Sequence, residues 1–84
     1  MVKKYEATKS LPNGWRLSIC ILQDDGAYIP QMLLETPDGS YTKSCLHKAR
    51  DDAIVTYSAW IGDTYTKVPD DVALDWFIER GFSL

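Results

Sequence analysis

Histidine occurs once in this chain, as His47, and cysteine twice, as Cys20 and Cys45. One histidine and two thiols are too few for a zinc site of the usual four-ligand kind or for a disulfide scaffold, so no metal and no bridge is expected and both cysteines read as reduced. No stretch approaches the 18 apolar residues of a membrane span. The N-terminal MVKKYEATK has lysines with no apolar run behind them, unlike a secretory signal. A cytoplasmic location without membrane attachment is the expectation. Glycine-rich phosphate loops, CxxC, HExxH and GxSxG are absent, and no serine has a histidine at a diagnostic spacing. Cys45 and His47 share a strand face at i and i+2, but nothing suggests an oxyanion hole or a cleft beside them. No catalytic residue and no cofactor is expected, and the chain reads as a non-enzyme.

Basic charge is also scarce. Nine Lys and Arg face twelve Asp and Glu, leaving a net charge of −3. A phosphate-binding surface normally carries the opposite balance. What the chain does hold is aromatic: three Trp, five Tyr and two Phe in 84 residues. That is enough for one small core in a single domain over 1–84, with anchors to spare for a binding surface.

Three corners organise the first half. Leu11-Pro12-Asn13-Gly14 and Thr36-Pro37-Asp38-Gly39 nearly repeat, and each suits a three-residue hairpin loop closing on glycine. Asp24-Asp25-Gly26 lies between them. Strands are expected over 3–10, 15–23, 27–36 and 40–46.

The register follows from separating apolar from polar side chains. A three-residue first loop opposes Leu11 to Trp15, Ala7 to Ile19 and Tyr5 to Ile21. A two- or four-residue second loop opposes Leu17 to Leu34, Ile19 to Met32 and Ile21 to Pro30 on a core face. The same register sends Leu22 with Ile29, Cys20 with Gln31, Ser18 with Leu33, and Arg16 with Glu35 to an outer face. Pro30, a residue that avoids central strands, implies a bulge. Cys20 and Cys45 flank Gln31 from opposite sides, too far apart to bridge.

The second half changes period. Ala53, Ile54, Tyr57, Trp60, Ile61 and Tyr65 recur at three and four, the mark of an amphipathic helix ending near Gly62–Thr64. Val68-Pro69-Asp70-Asp71 predicts the start of a second helix running to Gly81. The three Asp doublets thus shape one hairpin and two helix starts and do not form a shared metal site. The fold class is α+β: a three- or four-stranded antiparallel meander, then two helices packed on one sheet face.

Strand–strand–strand–helix order resembles double-stranded-RNA-binding domains and small antitoxin domains of the HicB type. The first resemblance would make Lys43, Lys48 and Arg50 nucleic-acid contacts. No helix precedes the strands, however, and Asp51–Asp52 would set negative charge where phosphate should approach. The leading expectation is a non-catalytic protein-binding module, acting as a homodimer or as a modulator or inhibitor of a larger protein, with a size that suits a phage or mobile-element accessory. Its contacts are expected at Leu22, Ile29, Leu33 and Tyr41 on the sheet and Trp76 on the second helix, with Arg16, Glu35 and Lys43 as a polar rim. A third reading is a small-ligand pocket between sheet and helices, lined by Trp15, Tyr57 and Trp60.

Overall fold

A computed structural model describes all residues 1–84. Four strands form one antiparallel sheet in chain order: β1 (Val2–Ser10), β2 (Arg16–Asp24), β3 (Ala27–Thr36) and β4 (Gly39–Ser44). Helix α1 (Arg50–Trp60) continues as a wider π-helical turn over Ile61–Tyr65, and a short helix α2 (Leu74–Ile78) follows. No helix is long and apolar enough to cross a membrane.

The Asp25-Gly26 corner is a two-residue loop with φ of 36° and 83°, the positive values that match the twist of paired strands. It fixes an unbroken register from Asp24–Ala27 to Arg16–Glu35. The first corner closes as expected: the Leu11 amide donates to the Trp15 carbonyl at 2.7 Å, and Gly14 takes φ 89°. Ala7 faces Ile19.

Three expectations need correction. The third corner has two loop residues, Pro37 and Asp38, so Thr36 faces Gly39 and Gln31 faces Ser44, not Cys45. The Thr36 side chain tightens this turn. Its hydroxyl donates to the Gly39 carbonyl at 2.9 Å and accepts from the Asp38 amide at 3.2 Å. One residue of slip turns every β4 side chain over. Tyr41 therefore faces Leu34 and packs on the core, and Lys43 faces Met32; neither lies on the outer face.

The second correction concerns Pro30, which causes no bulge. Its carbonyl accepts from the Cys45 amide at 3.2 Å, so its imide nitrogen points the same way, towards β4 and away from β2. The β2–β3 ladder loses nothing. The β4 ladder is interrupted there, yet it resumes in the same register where Tyr28 and His47 exchange both backbone bonds. The bulge is instead in β1, where Tyr5 and Glu6 together face the single residue Cys20 and Lys4, not Tyr5, pairs with Ile21.

The third correction is at the second helix. Asp70 and Asp71 sit in a separate turn closed by Val72 onto Pro69, and α2 begins only at Leu74. Ala73, in extended conformation, caps it without a side-chain bond. Helix α1 also runs past Gly62 to Tyr65, closed where the amide and hydroxyl of Thr66 both donate to the Ile61 carbonyl.

The core lies between one sheet face and the helices. Leu17, Ile19, Met32 and Leu34 from β2 and β3 meet Leu11, Val72, Phe77 and Phe82. Phe77 is fully buried, with Trp76 and Phe82 edge-on at 5.1 and 5.2 Å between ring centroids. Such aromatic contacts each add about 0.5–1.5 kcal/mol to the burial itself.

Strand β1 holds α1 at two places. The Tyr57 hydroxyl donates to the Tyr5 carbonyl and the Arg50 guanidinium donates to the Tyr5 hydroxyl, both at 2.6 Å. At the other end, the Lys9 ammonium donates to the Tyr65 carbonyl and lies over its ring. These bonds compensate a Tyr5 φ of 56°, which costs an aromatic residue about 1–3 kcal/mol.

Phe77→Ala removes the centre of this core and should cost about 3–5 kcal/mol in urea unfolding. A loss below about 1 kcal/mol would show that α2 contributes little to the fold.

Candidate functional site: the uncovered sheet face

Because the helices occupy one face of the sheet, the other face is left without a covering layer. Its residues are the alternate positions of the same strands. Leu22 and Ile29 pair directly, and Leu33 lies two residue pairs away, with Cys20–Gln31 between. The three expected aliphatics therefore share the face, but as a pair and a single residue, not as one contiguous group. Leu46 joins the pair. It stands between the Cys45 and His47 contacts to β3, which sets it beside Ile29, and it is 61% exposed. The signal for Leu46 was the continued β4 register, concealed by the slipped third corner.

Exposure on this face is uneven. Leu22 and Cys20 are buried among their strand neighbours, whereas Ile29, Gln31 and Leu33 are half-buried. Above Ser18 and Cys20 the face dips into a hollow of about 160 Å³, bounded by Lys3 and Glu6 on the β1 side and by Leu33 and Glu35 on the β3 side. The β1 bulge contributes Glu6 to this rim. Thr8 and Ser18 hydroxyls meet at 3.1 Å across the hollow's wall. Arg16 and Glu35 face each other in register but form no ion pair within 4 Å; the chain's one such pair is Arg80–Glu79 at 3.9 Å.

Burial pushes the Cys20 thiol above its ordinary pKa, against the opposing pull of the Lys3 ammonium and with a smaller push from Glu6. Cys45, one residue past β4, is free and exposed.

The other proposed site residues lie elsewhere. Trp76 is on the helix side, its ring face taken by the Arg80 guanidinium at 3.8 Å, so it cannot share a surface with Leu22, Ile29 and Leu33. Of the three nucleic-acid candidates, Lys43 lies apart from Lys48 and Arg50. Lys43 stacks over Trp60 at the C-terminal end of α1, at 4.8 Å, while Arg50 begins that helix and is bound to Tyr5. An 11-residue helix sets its two ends about 15 Å apart. Burial lowers the Lys43 pKa, opposed by Asp63 and assisted by Arg80. Lys48 is exposed on the approach to α1.

The expected pocket between sheet and helices is found in place but not in lining: Tyr57 borders an open apolar depression of about 160 Å³ with Tyr5, Ile21 and Ile54, while Trp15 and Trp60 pack on the core. His47 bonds the Thr56 hydroxyl at 2.8 Å and so fastens α1 to the sheet. Nowhere do three His, Cys, Asp or Glu side chains converge. The three Asp doublets occupy the β2–β3 corner, the first turn of α1 and the turn before α2.

No family model, curated protein or solved structure matches this chain.

The two thiols should separate kinetically. A thiol reagent at pH 8 should modify Cys45 at least about tenfold faster than Cys20, and Cys45→Ser should remove the fast phase. Equal rates would show that Cys20 is open to solvent.

Proposed function

We propose that this chain is a non-catalytic protein-binding module that works through its uncovered sheet face. The observation that carries this is the row Leu22–Ile29–Leu46, with Leu33 beyond it, on the side of the sheet that no helix covers. Leu46 is exposed and Ile29 and Leu33 are half-buried there, and aliphatics presented to solvent on one surface are the usual mark of association. Arg16, Glu35, Lys3 and Glu6 supply a rim of both signs around them. Such a rim orients a partner without committing the face to a phosphate backbone. The separation of Lys43 from Lys48 and Arg50 also speaks against the nucleic-acid reading, since phosphate binding needs cations on one surface.

Ile29 and Leu33 are better probes than Leu22, because they are only half-buried and tolerate a polar head. Ile29→Lys with Leu33→Lys should shift urea unfolding by less than about 1 kcal/mol. The same double variant should lose both self-association, read as solution mass, and capture of host proteins on the immobilised chain. Unchanged association of a folded double variant would place the binding surface elsewhere.

A further inference from the structure

We infer that the occupant of the uncovered face is a second copy of this chain, related by a two-fold axis that runs along the strands between β2 and β3. This rests on the sheet-face reading above and names its partner.

The argument is the self-complementarity of the β2–β3 register. Residues facing one another on these strands lie at the same height. A two-fold axis along the strands lays β2 of one copy over β3 of the other, and every outward pair is then exchanged. Arg16 of each copy meets Glu35 of the other. These two exposed side chains make no ion pair within 4 Å in the single chain, so both charges are free to pair across the interface. The large Leu33 meets the small Ser18, at the floor of the hollow, which gives a knob and a hole on each copy. Leu22 meets Ile29. No like charges are brought together along these strands; on the flanking strands Lys3 of one copy is set over Leu46 of the other, where its stem can cover the leucine and its ammonium can reach solvent at the rim.

The other axis that lies in the sheet plane runs across the strands. Centred on the same rows, it would place Arg16 on Leu22 and Glu35 on Ile29 and leave both charges without an opposite partner across the interface. Both axes keep the strands of the two sheets aligned, the common arrangement for twisted sheets packed face to face, so the charge pairing decides between them.

The size of the face fits a weak, specific pair. Four strands spaced at about 4.8 Å and some six residues long give a flat area of about 400 Å². Side-chain relief brings the total surface buried to roughly 1,000 Å², the lower bound for a specific interface, so a weak, concentration-dependent pair is expected.

The test is light scattering from about 10 μM to about 1 mM at low salt, where weak association is visible. The wild-type mass should rise towards twice 9.5 kDa. Arg16→Glu alone and Glu35→Arg alone should each weaken association at least about tenfold, since each sets like charges together at both symmetric contacts. Mixed in equal amounts, the two variants should associate again, because every contact between them joins one acid to one base. A wild type that stays at 9.5 kDa overturns the inference. So does a dimer that ignores both reversals, or a mixture that stays monomeric. If the wild type is monomeric but the lysine double variant still loses captured proteins, the sheet-face reading stands with another protein on it.

Discussion

From Arg16–Glu35 to Asp24–Ala27 the pairing of β2 with β3 runs without a shift, and both faces of the domain are fixed by it. Strand side chains alternate, so the choice that sends Leu17, Ile19, Met32 and Leu34 to the core also sends Ser18, Cys20, Gln31 and Leu33 away from it. The Asp25-Gly26 corner enforces that choice through two consecutive positive φ values. Everything else is added to this pair: β1 by the Leu11–Trp15 loop, β4 by the Thr36–Gly39 turn, and the helices by the apolar face already made. A sheet built this way and covered once has a second face by necessity. The character of that face is an immediate consequence of the core register.

Where two independent signals agreed, the sequence was legible. At the first two corners the glycine and the apolar alternation demanded the same loop length, and those registers are the ones observed, the first as far as the β1 bulge. At the third corner they did not agree. Tyr41-Thr42-Lys43-Ser44-Cys45-Leu46 alternates weakly, with Tyr41 drawing one register towards the core and Leu46 drawing the other. Tyr41 prevails, supported by Lys43 lying over Trp60 and by the backbone exchange of Thr42 with Ser83. Neither contact is local, so neither could be read from the segment itself. The same slip moved Tyr41 off the proposed surface and hid Leu46, which belongs to it. The bulge at Tyr5–Glu6 had no signal either, because no glycine marks it. It is held by Arg50 and Tyr57, far along the chain.

Several basic and aromatic residues serve the fold. Lys9, Lys43 and Arg80 each lie over an aromatic ring, and His47 fastens α1 through Thr56. Those three rings, Tyr65, Trp60 and Trp76, all belong to the helical second half, so these aromatics serve as anchors there and not on the open face. The open face keeps its aliphatics, its hollow and the charges of Arg16 and Glu35, which no ion pair engages.

The most direct measurement is hydroxyl-radical footprinting across a protein-concentration series. The account predicts that labelling of Ile29, Leu33 and Leu46 falls as concentration rises, while Val55 on α1 and Ile78 on α2, 69% and 50% exposed, stay constant. Protection at Val55 or Ile78 with Ile29 and Leu33 unchanged would contradict it.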